Sequence, residues 1–357
     1  MPTLSVVPSL SPSMTAAHAG ADSRPHIALA IGDPAGIGPE IIAGLLNDPT
    51  LGARARVTLI SNRAALEAGA AAAGVPVPQP SEWLSIADWE GDAGQYAPSV
   101  ASAQNGAFIL AALQYGTKLV TSGEADALCF GPLNKGAMRM GGMVEEDEMR
   151  WFAKQLDFAG VCGEFNVLDT LWTARVTSHV PLRDVSSLLT PERVAGAIHM
   201  LREALIAAGV AEPRVGVCGF NPHNGDNGNY GSEEGDIITP GIDLAARTGA
   251  PASGPYPADT IFLRARAGQL DGIVTMYHDQ GQIATKLLGF DIGVTVQGGL
   301  PIPVTTPAHG TAYDIVGKGV AQTTAMAHAF DLSLKMGASF RRSRVAHATP
   351  AAFQHQP

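Results

Sequence analysis

Three histidines have the surroundings expected of metal ligands. His179, His223 and His278 each follow a short apolar run, namely residues 171–176, 215–217 and 272–276. We interpret each run as a buried strand that leads into a polar loop. In an open α/β sheet, ligands collect at the carboxyl ends of the strands. Any one of these histidines alone is more typical of a hydrogen-bonded structural residue. Three together predict a catalytic divalent metal with an open coordination position.

Carboxylates and lysines near the same predicted loops can move protons or bind anions. Asp279 follows His278 directly and offers a carboxylate for proton transfer or for support of the histidine. Lys135 follows a buried strand, and Lys286 lies in an apolar segment. Because lysines are rarely buried without a partner, each is a candidate for anion binding or proton transfer. The alternative for Lys286 is a surface lysine, and Asp259 is either an acid/base or a helix N-cap.

Two glycine-rich segments raise the question of a nucleotide site. Residues 305–319 contain His309, Asp314 and Lys318 among small residues. Such a loop can wrap a nucleotide, with Asp314 accepting hydrogen bonds from ribose hydroxyls; the alternative is an ordinary turn. Residues 32–40 resemble a dinucleotide fingerprint only superficially, because the G-x-G-x-x-G spacing is absent and no acidic residue ends a second strand at the expected distance. We interpret residues 32–40 as a tight strand-to-helix turn.

Strand and helix patterns alternate along the chain. The sequence predicts strands from residue 26 and at 57–61 and 127–130, and helices near Pro39 and at 63–73, 104–122 and 190–209. This alternation predicts α/β architecture with a largely parallel sheet. At 357 residues, two domains are expected.

The composition excludes several classes of partner. The formal net charge is −10 and no Lys/Arg stripe is present, which argues against nucleic acid. An acidic chain has no attraction for an anionic membrane surface, and no run has the length of a membrane-spanning helix. Three unpaired cysteines indicate a reducing compartment, so we expect a cytoplasmic protein. Residues 1–25 and 341–357 are expected to be disordered.

Five co-linear motifs resemble those of the 4-hydroxythreonine-4-phosphate dehydrogenase family, over about residues 26–338. They are GDPAGIGPE at 32–40, TSHVPLRD at 177–184, NPH at 221–223, GPYPADT at 254–260 and MYHDQG at 276–281. The resemblance implies an isocitrate/isopropylmalate dehydrogenase-like α/β fold with an interdomain active-site cleft. The first domain, on the cofactor side, would comprise 26–135 plus 305–340, and the second, with the metal and the dimer interface, 136–304.

The resemblance also implies an activity and a set of site residues. His179, His223 and His278 would bind the metal, with one of them donated across a homodimer. His309, Gly310, Thr311 and Asp314 would bind the cofactor. The family reaction is NAD-dependent oxidation of a secondary alcohol, often with decarboxylation, in which Lys135, Asp259 or Asp279 would move protons. Zinc suits the histidines best, with cobalt, manganese or magnesium as alternatives.

The sequence departs from the family where the substrate phosphate would be held. A His-Thr pair of the biosynthetic enzyme is replaced by Glu148 and Met149, and an Asn and an Arg by Thr295 and Val304. Of these polar contacts only Lys286 remains, and Arg150 is the candidate compensating cation. Phosphate contacts of this kind are each worth roughly 1.5–3 kcal/mol, so losing several disfavours a phosphorylated substrate.

The preferred hypothesis is therefore a non-phosphorylated hydroxy acid or a dihydrodiol carboxylate as substrate. This resembles the catabolic branch of the family, which acts in terephthalate breakdown. The first alternative is a 4-phosphorylated hydroxy acid of the hydroxythreonine, threonate or erythronate type. The second, of another class, is a metal-binding sensor or scaffold without turnover.

Overall fold

The computed structural model describes residues 11–12, 22–89, 96–169 and 171–348. Its strands are β1 (Ser11–Pro12), β2 (His26–Ala30), β3 (Arg56–Ser61), β4 (Leu84–Asp88), β5 (Ala127–Phe130), β6 (Gly163–Leu168), β7 (Leu171–Arg175), β8 (Val215–Cys218), β9 (Ser253–Tyr256), β10 (Gly272–Thr275), β11 (Val294–Gly298) and β12 (Val304–Pro307). They form one sheet in the order β1-β4-β3-β2-β5-β12-β11-β6-β7-β10-β8-β9.

The sheet is mixed but mostly parallel. Seven of its strand pairings are parallel, and four are antiparallel. Strands β11 and β6 each run antiparallel to both of their neighbours, and together they lie between two parallel parts of the sheet. The predicted α/β class is confirmed. The predicted division into domains follows the same two parts and stays a prediction.

Helices alternate with the strands along the chain and pack against the sheet. They are α1 (Gly38–Leu46), α2 (Leu51–Arg54), α3 (Arg63–Ala73), α4 (Ala103–Ser122), α5 (Lys135–Met140), α6 (Glu148–Gln155), α7 (Val185–Leu188), α8 (Pro191–Ala207), α9 (Thr239–Arg247), α10 (Ala258–Arg266), α11 (His278–Gly289) and α12 (Thr324–Ala348). None of these helices combines the length and the apolar character needed to cross a bilayer.

Local capping explains why the helix boundaries are close to those predicted. The side chain of Asn62 accepts a hydrogen bond from the N–H of Ala65 (3.0 Å) at the start of α3. Gly74 ends the same helix in the left-handed conformation, with φ of 67°. Thr190 accepts from the N–H of Arg193 (3.3 Å) at the start of α8. Such caps satisfy backbone groups that have no partner within the helix.

The larger of two apolar clusters in the described part of the chain packs helices against the sheet. Its largest buried side chains include five phenylalanines that are less than 2% exposed: Phe108, Phe130, Phe152, Phe165 and Phe330. They come from helices α4, α6 and α12 and strands β5 and β6. The core therefore packs the carboxyl-terminal helix against the central strands of the sheet.

The chain ends differ from the expected disorder where they are described. Helix α12 continues to Ala348, past the predicted boundary at 341. Arg341 explains the extension, since it donates to the carbonyl of Arg24 (3.0 Å) and lies 3.6 Å from Asp126. At the other end, Ser11–Pro12 pairs with β4. The rest of the predicted extension up to residue 21, and residues 349–357, lie outside the described part.

Candidate active site

A polar cleft of about 290 Å³ lies beside the antiparallel strand β11. It is bounded by the segment after β5, by β6, by helix α11 and by the turn after β12. Its wall contains four charged side chains and two histidines: Lys135, Glu148, Glu164, Lys286, His278 and His309. The sheet topology thus gathers groups that are far apart in the sequence into one cavity.

The three predicted metal ligands follow three neighbouring strands. His179 follows β7, His278 follows β10 and His223 follows β8, and these parallel strands are adjacent in the sheet. Their carboxyl ends therefore lie at one edge, where ligands of α/β proteins bind. The ring centroids of His179 and His278 are 5.5 Å apart. The structure brings these two histidines together.

Asp279 determines which nitrogen of His278 is free. Its Oδ1 lies 2.7 Å from Nδ1 of His278. Because an ionised carboxylate only accepts hydrogen bonds, Nδ1 carries the proton and donates it. In the neutral ring, Nε2 then keeps its lone pair, which is the arrangement found in metal-binding histidines. Asp279 is 74% exposed, so its contact with His278 is its most definite structural role.

His223 lies in a strained turn. The short segment Pro222–Gly228 contains six consecutive residues with positive φ, beginning at His223 with 53°. This conformation costs roughly 1–2 kcal/mol for each residue other than glycine. Glu234, which is buried, holds the preceding backbone by accepting from the N–H groups of Phe220 (2.7 Å) and Asn221 (2.6 Å). Strain maintained by surrounding contacts is typical of functional loops.

The histidines do not form a complete metal site within one chain. Among the described residues, no group of three His, Cys, Asp or Glu side chains could hold a metal ion. The pair of His179 and His278, with Asp279 behind it, nevertheless fits two positions of such a site. His223 does not complete the pair here. The expected donation of one histidine by a second subunit stays a prediction.

Glu148 and Lys135 form an ion pair in the cleft. Glu148 Oε2 lies 2.9 Å from Lys135 Nζ, and the carboxylate side chain is only 12% exposed. Burial lowers the pKa of Lys135, but the charge and the hydrogen bond of Glu148 outweigh this, so the pKa lies above its ordinary value. Lys135 therefore stays protonated at neutral pH, so it can donate a proton but not accept one. Glu148 in turn presents no uncompensated negative charge, which weakens the predicted repulsion of a phosphate.

A second ion pair was not predicted from the sequence. Glu164 lines the cleft and pairs with Arg175 (2.9 Å), whose side chain is 7% exposed. On the same strand, Asn166 accepts a hydrogen bond from Gln282 (2.6 Å). The available signal was the alternation of polar and apolar residues in β6, which places Glu164 and Asn166 on one face.

The other predicted substrate and catalytic residues divide into two groups. Lys286 and Thr295 line the cleft. Val304 is fully buried, because β12 pairs with β5 inside the core, so the expectation that this position faces the substrate is not supported. Arg150 pairs with Asp147 (2.6 Å) and does not line the cleft. Asp259 is exposed in the first turn of α10, whose N-cap is Pro257, so it is neither a cap nor part of the cleft wall.

The predicted cofactor residues belong to the segment between β12 and α12. His309 and Gly310 line the cleft, and a Cβ added to Gly310 would meet no atom within 4 Å. Thr311 is turned toward the 32–40 turn, where its carbonyl accepts from the N–H of Ile37 (3.1 Å). Asp314 is exposed, outside the cleft wall. The open space at Gly310 and the exposed carboxylate of Asp314 fit a nucleotide bound along this segment.

Comparison with known proteins identifies the family. The model of the family described as "Pyridoxal phosphate biosynthetic protein PdxA" matches residues 48–333. The chain belongs to the PdxA family. A relative from Pseudomonas aeruginosa, provisionally named 4-hydroxythreonine-4-phosphate dehydrogenase 2, is 51% identical over 331 residues, which are 89% of this chain and 98% of the relative.

Solved structures of two dehydrogenases have the same fold. A 4-hydroxythreonine-4-phosphate dehydrogenase from Klebsiella pneumoniae superimposes with a TM-score of 0.77 at 31% identity, covering 88% of this chain and 98% of that one. A terephthalate 1,2-cis-dihydrodiol dehydrogenase from Burkholderia xenovorans superimposes with a TM-score of 0.65 at 25% identity, covering 88% and 98%. The chain is therefore a dehydrogenase that acts on a CH–OH group.

Proposed function

We propose that the protein oxidises the secondary alcohol of a 4-phosphorylated hydroxy acid of the hydroxythreonine or threonate type, using NAD and a divalent metal. The relatives' names favour this alternative over the non-phosphorylated substrate preferred from the sequence. The observation that carries the proposal is Lys286. In the described part of the chain it forms no ion pair, whereas Lys135, Glu148 and Glu164 are all paired.

Helix α11 sets the distance between the reacting end of the substrate and its anionic end. His278 is the first residue of the helix and Lys286 lies eight residues later. At 1.5 Å per residue, they are about 12 Å apart along the helix axis, and both line the cleft. A substrate with an alcohol near the histidines and an anion near Lys286 would therefore lie along α11.

The chain's residues divide the chemistry between them. His179 and His278 would hold the metal, for which zinc is the first candidate, and a third ligand would come from His223 of a second subunit. When bound, the metal would polarise the hydroxyl and NAD would accept the hydride. Asp279 orients His278. Lys135, kept protonated by Glu148, would donate a proton to the enolate if decarboxylation follows.

A homodimer would supply the missing ligand. Three side chains on one face of α11 are exposed although apolar: Ile283 (63%), Leu287 (84%) and Leu288 (44%). Leu182, three residues after His179, is 69% exposed. An exposed apolar patch of this kind is typical of an interface. Leu287→Lys should therefore weaken self-association in sedimentation, whereas Ile206→Lys on α8, also exposed, should not.

A second candidate is a non-phosphorylated hydroxy acid or dihydrodiol carboxylate. Two observations favour it: Glu148 stands where the family motif has a phosphate ligand, and the terephthalate dihydrodiol dehydrogenase shares the fold. The NAD-free sensor hypothesis is disfavoured by membership in a dehydrogenase family.

Substrate profiling tests the proposal. The metal-loaded protein is assayed for NADH formation with 4-phosphohydroxythreonine, threonate 4-phosphate, their unphosphorylated counterparts and dihydrodiol carboxylates. We expect activity with a phosphorylated acid that is lost on chelation of the metal. Turnover confined to unphosphorylated compounds would support the second candidate, and metal binding without NAD binding in calorimetry would support the sensor.

A further inference from the structure

The 32–40 turn, which the proposed chemistry does not use, contacts the cofactor segment. Residues 308–323 connect β12 to α12 without any helix or strand. Asp33 is fully buried, and its carboxylate accepts from the hydroxyl of Tyr313 in that segment (2.5 Å). It also accepts from Asn105 (3.3 Å) and from the N–H of Ala35 (3.0 Å). All three partners are donors, so the carboxylate is compensated on both oxygens.

Glu40 contacts the same segment near its other end. This residue is 4% exposed, and its Oε1 accepts from the N–H of Ala321 (3.2 Å). Between the two carboxylates, Gly36 lies so close to the segment that an added Cβ would be 2.8 Å from the Cβ of Thr311. The turn therefore touches the segment at three residues, Thr311 and Tyr313 in its first half and Ala321 near its end.

Burying a carboxylate costs free energy, because removing a charge from water is unfavourable unless hydrogen-bond partners compensate the lost hydration. Burial raises the pKa of Asp33, and the hydrogen bonds from Tyr313, Ala35 and Asn105 oppose that rise without cancelling it. Apolar residues would fill the same space more favourably. What the two carboxylates share is a donor on the same irregular segment of the chain, Tyr313 for Asp33 and Ala321 for Glu40.

We propose that Asp33 and Glu40 are positioning residues that hold residues 308–323 in the shape that binds the cofactor. The proposal rests on the proposed use of NAD by this segment. A long loop that is ordered before binding loses less entropy when the ligand arrives. The 32–40 motif thus acts at a cofactor site, although it lacks the spacing of a phosphate-binding loop and does not itself line the cleft.

The expected effect follows from the population of the binding shape. Each of the two hydrogen bonds, Asp33 to Tyr313 and Glu40 to Ala321, is called a tether of the segment. If loss of one tether lowers the fraction of molecules with the binding shape to about a tenth, the apparent Kd for NAD rises about tenfold. The variants are Tyr313→Phe, which removes the donor to Asp33, and Glu40→Ala, which removes the acceptor for Ala321. Glu40→Gln keeps an oxygen acceptor and should restore binding. Tyr115→Phe, a half-buried tyrosine on α4, is the matched control.

Calorimetric titration with NAD and steady-state kinetics give the readout. We expect Tyr313→Phe and Glu40→Ala to raise the Kd and KM for NAD, while the KM for the hydroxy acid, the metal content and kcat at saturating NAD change little. Thermal unfolding identifies any variant that fails to fold; if Glu40→Ala does, Tyr313→Phe alone tests the proposal. Unchanged NAD affinity in both variants, or an equal loss in Tyr115→Phe, would overturn the proposal.

Failure of the proposed function would look different. If the unmodified protein does not bind NAD, the proposed NAD-dependent oxidation is refuted. Amide hydrogen exchange then still tests whether Asp33 and Glu40 hold residues 308–323. Residues 308–323 should exchange faster in Tyr313→Phe and Glu40→Ala than in Tyr115→Phe. Equal exchange in all three proteins would refute the positioning role independently of NAD.

Discussion

Replacing Lys286 by methionine is the sharpest test of how the cleft recognises its substrate. Lys286 lines the cleft near the end of α11, and in the described structure no acidic side chain pairs with it. Methionine keeps most of the side-chain volume and removes the charge. The substitution should therefore leave the fold intact, since a cation in the last helical turn contributes only about 0.3–1 kcal/mol to stability.

The size of the expected loss in kcat/KM follows from the exposure of Lys286, because an exposed charge interacts through a water-like dielectric. A lysine and a phosphate dianion 4 Å apart in a water-like dielectric interact by roughly 2 kcal/mol, because each unit of charge contributes about 1 kcal/mol. Since about 1.4 kcal/mol corresponds to a factor of ten, the loss is about 30-fold. This lies toward the lower end of the range for charged hydrogen bonds, as expected for a solvent-exposed group.

The assay is kcat/KM for NADH formation with a phosphorylated hydroxy acid and with its unphosphorylated counterpart. Lys286→Met should lower kcat/KM about 30-fold for the phosphorylated compound and by less than about threefold for the other. Lys118→Met, at an exposed position on α4, controls for the change in net charge. Equal losses for both compounds, or none for either, would refute the assignment of Lys286 as the anion-binding residue.

Three further outcomes are expected. Asp279→Ala should weaken metal affinity about 10–100-fold, because it removes the acceptor for Nδ1 of His278; unchanged affinity in a metal titration would contradict this. Gly196→Ala in α8, where a Cβ meets no atom within 4 Å, should raise the free energy of unfolding by about 1 kcal/mol in urea, and a decrease would count against it. The hydrogen bond from Arg214 lowers the pKa of Asp271, so its stabilisation exists above the unfolded-state pKa and is lost as the pH falls. Asp271→Asn should therefore destabilise the protein at pH 7 and progressively less below about pH 3.9, whereas a pH-independent loss would contradict the reasoning.

Local signals in the sequence were sufficient to predict several helices and strands and to identify the three histidines as candidate metal ligands. Helix α3 begins and ends at the predicted residues 63 and 73, where the structure shows Asn62 and Gly74 as its caps, and caps act within one turn of the chain. The three histidines were recognisable because each follows an apolar run, and parallel strands present their carboxyl ends at one edge. Strand β6 was missed, although its polar positions alternate.

Contacts between distant segments required the tertiary structure. The pairing of Lys135 with Glu148 neutralises a carboxylate that, from the sequence, would repel a phosphate. The burial of Val304 removes that residue from the cleft, because the pairing of β12 with β5 depends on the whole sheet. A residue type specifies which charge or hydrogen bond is possible, but its neighbours specify whether that charge is free.

The same distinction applies to the site as a whole. The sequence by itself determined the class of fold, the histidines and the glycine-rich turn at 32–40. Only the tertiary structure decided that His179 meets His278 without His223, and that Asp33 reaches Tyr313 across 280 residues. The reason is physical: periodicity and capping are set by neighbours along the chain, whereas the free energy of a buried charge depends on every segment packed around it.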